Sequence, residues 1–141
     1  MTFLLDTNAV SEWTKPNPFP SVIAWLAEAD EDRLFISVVT LGELRSGVAS
    51  LAAGRRRDRL DEWLSHDLPV RFEGRVLPVD LAVADHWGRI TAAAKAAGRQ
   101  IHAIDAFLAA TAHVHQLTLV TRNVSDFQSA GTPVICPWTD T

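Results

Sequence analysis

The sequence predicts an α/β protein whose largely parallel central sheet is covered by helices on both faces. Short apolar runs of strand length alternate along the chain with stretches in which apolar residues recur at helical spacing. Parallel neighbours need crossover connections, so this alternation places helices against both sides of one sheet. With 48% hydrophobic residues, 141 residues suffice to build a core without disulfides or a structural metal.

"TFLLD" at the start is the first strand candidate, and "PNPFP" is a loop because its prolines at 16, 18 and 20 interrupt both helix and ladder. "SVIAWLAEAD" then places Val22, Trp25, Leu26 and Ala29 on one helical face, with Ser21 as its N-cap. "RLFISV" is a second strand. The helix "VTLGELRSGVASLAAG" follows, with Leu41, Leu44, Val48 and Leu51 in register, Ser37 as the favoured cap before it and Gly54 at its end. From Arg55 to Leu68 a further helix is charged at its start and carries Leu60, Trp63, Leu64 and Leu68 as its apolar face.

"RVLPV" is a third short strand. Asp80 caps the alanine-rich helix "DLAVADHWGRITAAAKAAG", which closes at Gly98. "AIDAFLAATAHVHQ" is the next helix, apolar enough to be buried on most sides; "LTLVT" is a buried strand, and "TPVICP" is an edge strand bounded by prolines. No internal repeat or low-complexity linker divides the chain.

A formal charge of -4 argues against a protein that holds nucleic acid by a general basic surface, since such binding rests on Lys and Arg neutralising phosphates. It leaves room for a nucleic-acid enzyme with a concentrated acidic site. Cys136 stands alone, and no signal-like start or membrane-length apolar run is present, so a soluble, cytoplasmic protein without membrane contact is expected. Arg55, Arg56, Arg57 and Arg59 fall within five positions, a cluster whose favoured reading is a solvated helix start.

Four carboxylates occupy places where a charge is costly or oddly exposed to chemistry. Asp6 ends the first strand, Glu43 lies in the helix after the second, Asp105 sits in the apolar "AIDAFLAA", and Asp126 follows the fourth strand. Each alone is compatible with a cap, a turn or a surface residue. Together they match the rule that sites of open α/β sheets lie beyond the carboxyl ends of the strands. Two unit charges about 5 Å apart cost roughly 3 kcal/mol at an effective dielectric of 20, so convergence demands protonation or a divalent cation. An all-oxygen set suits Mg²⁺ or Mn²⁺ rather than zinc, and the histidines at 66, 86, 102, 113 and 115 form no zinc pattern. Thr7 and Asn8, Thr40, and Thr121 and Asn123 lie beside these acids as hydroxyl and amide groups able to orient carboxylates, water or phosphate, or to serve as caps.

The stretches "LLDTNAVSE", "ISVVTLGELRSGV", "AIDAFLAATA" and "LVTRNVSDF" together resemble PIN-domain ribonucleases, specifically VapC-like toxins of bacterial type II toxin–antitoxin pairs and their FitB-like branch. The resemblance spans the chain and implies one PIN domain over residues 1–141, a three-layer α/β/α sandwich with a mostly parallel sheet. It implies a Mg²⁺- or Mn²⁺-dependent endoribonuclease in which Asp6 and Asp105 hold metal directly while Glu43 and Asp126 act through water. It also implies a bacterial cytoplasmic homodimer, neutralised by a cognate antitoxin that brings an arginine to the acidic groove and carries any DNA contact. Arg45, Arg55, Arg56, Arg57, Arg59 and Arg122 are the candidate RNA contacts.

Other readings are weaker. A haloacid-dehalogenase-type phosphatase opens on Asp-x-Asp where this chain has "DTN", and a receiver-like phosphoacceptor needs an early acidic pair and a late Lys. A non-catalytic PIN-fold partner acting within a DNA-bound repressor complex is the remaining alternative.

Overall fold

A computed structural model describes residues 1–139. Five strands form one fully parallel sheet: β1 (Phe3–Leu5), β2 (Leu34–Ser37), β3 (Val76–Leu77), β4 (Thr118–Val120) and β5 (Val134–Ile135), in the spatial order β3-β2-β1-β4-β5. The register pairs Leu4 with Phe35 on one side and with Leu119 on the other, so β1 lies at the centre. The order runs outward from β1 in both directions, which puts a topological switch point between β1 and β4.

Alternation along the strands assigns side chains to two separate cores. Leu5, Leu34, Ile36 and Val120 pack with Val10, Val22, Leu26, Val48, Leu64, Leu68 and Phe72 under one helical layer. That layer comprises α1 (Thr7–Ser11), α2 (Pro20–Glu28), α3 (Val38–Ala49), α4 (Arg55–Glu62) and α5 (Leu68–Arg71). Leu4 and Leu119 point the other way, onto Leu108, Ala109, Ala112, Leu117 and Phe127. There the covering helices are α6 (Leu81–Ala96), α7 (Ala103–His115) and α8 (Val124–Ser129). The expected three-layer α/β/α arrangement with a parallel sheet is what the chain forms, and α7 is buried along Ala106, Leu108, Ala109, Ala110, Thr111 and Ala112.

Several boundaries differ from the sequence expectation for identifiable reasons. α1 begins immediately after β1 because Asp6 caps it, which the polar "DTN" concealed. Pro20 opens α2 at its first turn, where a missing N–H is harmless, so Phe19 holds the N-cap position and Ser21 instead donates to the Pro137 carbonyl at 2.5 Å. α3 stops at Ala49 with Ser50 as C-cap, and Gly54 stands at the N-cap of α4 rather than at the end of α3. The helix expected from Arg55 to Leu68 extends to Arg71 through a π-helical segment at Trp63–Asp67. Pro69 lies just beyond that segment and has no N–H to continue the regular ladder. The caps expected at Ser37 and Asp80 form, accepting from the N–H of Val39 at 3.0 Å and of Val83 at 3.0 Å.

α7 ends in a left-handed residue, Gln116, at φ 55°, where most helices use glycine. Replacing Gln116 by Gly removes that strain without touching a packed side chain. Chemical denaturation of Gln116→Gly is expected to show a gain of about 0.5–1 kcal/mol, whereas Gln116→Val loses stability.

Candidate active site

Asp6 is delivered by the central strand to the carboxyl edge of the sheet and retains 5% of its exposure. Its backbone N–H continues the sheet by donating to the Val120 carbonyl at 3.1 Å. Its Oδ1 accepts from the Ala9 N–H at 2.8 Å, so one carboxylate both ends β1 and starts α1. Burial pushes its pKa from the ordinary 3.8 up to about 6. The bonds from Ala9 and Thr121 oppose that rise, and the charges of Asp105 and Glu43 add to it.

Glu43 projects from the second turn of α3. Its Oε1 accepts a hydrogen bond from Thr7 Oγ1, the hydroxyl at the first position of α1, and Thr7 also approaches the buried Thr40 Oγ1 at 3.4 Å. Asp105 enters from the first turn of α7, half-buried, with its Oδ2 accepting from Asn123 Nδ2 at 3.3 Å. Burial raises its pKa first; His102 counteracts, while Asp126 and Glu43 push it further up. Asp126 is exposed on the first turn of α8, a short helix for which the sequence analysis named no element.

The four acids therefore share one electrostatic field. Asp6 feels Asp105 and Glu43, and Asp105 feels Glu43 and Asp126. Of their neighbours, Thr7 and Thr40 join Glu43; Thr121 bonds Asp6 and accepts from the Asn123 N–H at 3.0 Å; Asn123 reaches Asp105. Asn8 is exposed on α1 and has no hydrogen bond to these groups among the described residues.

The candidate arginines divide. Arg45 is held by Asp61 at 2.7 Å and Ser65 at 2.8 Å, and Arg122 lies over the Phe19 and Trp138 rings at 5.6 and 5.5 Å. Arg55 and Arg57 sit with Arg56 on the first turn of α4, and Arg56 lines a groove that Glu43 and Thr7 also line.

Two contributors escaped the sequence reading. His102, three residues before Asp105, caps α7 by accepting from the Ile104 N–H at 3.3 Å and bears on Asp105. Glu12, 2% exposed, fixes the loop after α1 by accepting from the Phe19 N–H at 3.1 Å and pairing with Lys15 at 2.9 Å. The only signal for it was its place in "DTNAVSE".

The four carboxylates and the Thr7, Thr40 and Thr121 hydroxyls supply oxygen donors to this centre, the ligand chemistry of Mg²⁺ and Mn²⁺. Among the described residues no three His, Cys, Asp or Glu side chains already stand in ion-holding geometry. An ion here would keep water in its shell, as Mg²⁺ commonly does. The nearly buried, charge-crowded Asp6 fits that role, because a cation relieves both the desolvation and the repulsion that raise its pKa.

The structure is thus a parallel α/β sandwich with four electrostatically coupled carboxylates near its switch point. The model of the PIN domain matches residues 3–131, and the chain belongs to that family, in its VapC/FitB-like branch. It is 41% identical over 137 residues to Toxin FitB of Neisseria gonorrhoeae, covering 97% of this chain and 99% of that protein. Against VapC ribonuclease Y4jK of Sinorhizobium fredii the identity is 38% over 135 residues, covering 96% of both. The crystal structure of FitAcB from Neisseria gonorrhoeae matches with a TM-score of 0.92 and 40% identity, over 97% of this chain and 99% of that one. The structure of FitAB bound to an IR36 DNA fragment matches with a TM-score of 0.92 and 38% identity, covering 98% and 96%.

Keeping Asp6 ionised in the fold at pH 7 costs about 2–3 kcal/mol when no cation offsets it. The folded pKa exceeds the unfolded one, so this cost is absent below about pH 4, grows between about 4 and 6, and is complete above. Asp6→Asn preserves the cap acceptor while removing the charge. In chelator at pH 7 it is expected to unfold at higher denaturant than the parent, with the difference disappearing near pH 4; equal midpoints at pH 7 would contradict the buried-charge account.

Proposed function

We propose that this protein is a metal-dependent endoribonuclease, the toxin of a type II toxin–antitoxin pair. The observation that carries the reading is Asp6, nearly buried at the switch point and electrostatically coupled to Asp105 and Glu43. A fold that maintains such a group gains nothing in stability from it. Support also comes from relatives named as ribonucleases and from the solved complexes named above.

Asp6 and Asp105 would hold Mg²⁺ or Mn²⁺, with Glu43 and Asp126 acting through water; the ion supplies Lewis acidity for phosphodiester hydrolysis. Thr7 holds the Glu43 carboxylate toward the centre, and Asn123 does the same for Asp105. Thr121 joins the two by bonding Asp6 while accepting from the Asn123 backbone. Burial of Asp6 and Thr40 limits bulk water on the sheet side, leaving the half-buried Asp105 and the exposed Asp126 on the side open to a substrate. The acidic opening also suits neutralisation by a cognate antitoxin presenting a guanidinium, and DNA contact would then come through that partner.

Chain purified without a partner is expected to cleave RNA with Mg²⁺ or Mn²⁺, and chelator should abolish the cleavage. Asp6→Asn and Asp105→Asn should each lower the rate at least ~100-fold, and Thr7→Val by about 10-fold. Cleavage that persists in chelator, or full activity in Asp6→Asn, rejects the reading.

A further inference from the structure

A second basic surface lies on the α6–α7 side, away from the arginines of α4. A cavity of about 330 Å³ is lined there by His86, Arg89, Arg99 and His113 above an apolar floor that includes Ile90 and Ala130. The two imidazoles stack with centroids 3.8 Å apart and planes 4° from parallel. Arg99, Ala94 and Ile101 also line a neighbouring hollow together with Lys95, Gln100 and His102. The two hollows adjoin at these shared residues. His102, the cap of α7 three residues before Asp105, lines the second hollow. From Asp105 to His113 the helix rises only about 12 Å.

The charges along this cleft are unequal in availability. Arg89 is paired with Asp85 at 2.9 Å, whereas Lys95 and Arg99 are exposed and have no ion pair among the described residues. The opposite groove beside Glu43 differs: its walls include Leu44, Leu51, Leu60 and Trp63, with Arg56 and Lys15 its cations, and Lys15 is tied to Glu12. Free cations, flat imidazoles and a guanidinium in one track are the elements that hold a single strand by its phosphates and bases. A site for a small free anion would need no track leading to the acidic centre.

We propose that the α6–α7 cleft is the path of the RNA strand on one side of the acidic centre, an inference that rests on the nuclease reading. Lys95 and Arg99 neutralise backbone phosphates next to the cleaved position. The His86–His113 cavity seats a base, with imidazole and guanidinium faces for stacking; its volume lies at the low end of small-ligand sites.

The test separates binding from cleavage. Anisotropy of a labelled single-stranded RNA is measured in chelator across a salt series for the parent chain, Lys95→Ser/Arg99→Ser, His113→Ala and Arg33→Ser. Arg33 lies before β2 at the opposite edge of the sheet and serves as the charge control. Expected are a ~10-fold loss of affinity for the double variant and a log–log salt slope shallower by about 1.4, with no change for Arg33→Ser. His113→Ala should weaken binding severalfold at an unchanged salt slope, the sign of lost stacking rather than lost charge. Unchanged binding in the double variant overturns the path, as does an equal loss in Arg33→Ser. Altered sedimentation with intact RNA binding also overturns it, by assigning the cleft to a protein contact. Cleavage with Mg²⁺ is scored separately on gels. Binding that follows the predicted pattern without cleavage removes the nuclease reading alone, and cleavage by the parent with unaltered binding in the double variant removes the path alone.

Discussion

The rest of this structure is organised around a carboxylate that the fold would be more stable without. Asp6 is carried by the most enclosed strand to the point where the strand order reverses, and there it is desolvated beside two other acids. Ion pairing does not offset this: among the described residues no Lys or Arg is paired with Asp6, and the local compensation is the Ala9 N–H and the Thr121 hydroxyl. Hydrogen bonds of that kind moderate the burial of a charge without repaying it. Holding the charge in place therefore falls to the two hydrophobic cores, which fix β1 on both faces.

That constraint explains why the neighbouring elements begin where they do. β1 stops at Leu5 and α1 starts at Thr7 because the same side chain is both strand end and helix cap. Thr7 can then reach across to Glu43, which ties α1 to α3, while the turn after β4 places Thr121 and Asn123 between Asp6 and Asp105. The site is assembled from four separate segments, and all but α3, which contributes Glu43 from its second turn, enter it through a helix start or a strand end. Those are the positions where backbone groups lack regular partners and polar side chains are useful.

Much of this was legible in the sequence because it follows from periodicity. The alternating runs gave the parallel sheet, Ser37 and Asp80 announced their helices, and the apolar surroundings of Asp105 marked it as a costly charge. What stayed hidden were short or reused features. α1 and α8 span 5 and 6 residues, too few for a helical repeat to emerge. Ser21 looked like a cap because hydroxyls often are, but Pro20 had already taken the first turn and freed that hydroxyl for Pro137. The cleft between α6 and α7 could not be seen at all, since His86 and His113 are 27 positions apart and meet only through helix packing. The eye-catching run of arginines led instead to α4, on the other helical layer.

The sheet ends on both sides in strands of two residues, β3 and β5, with Pro78 following the first and Pro133 and Pro137 flanking the second. A rim that short offers an incoming strand almost no ladder to extend, and proline donates no N–H to it. Recruitment of another chain by strand addition is thereby discouraged, as is the runaway edge-to-edge stacking that leads to aggregates. Lasting contacts with other molecules are left to the helical faces, whose side chains, unlike a bare ladder, can distinguish one partner from another.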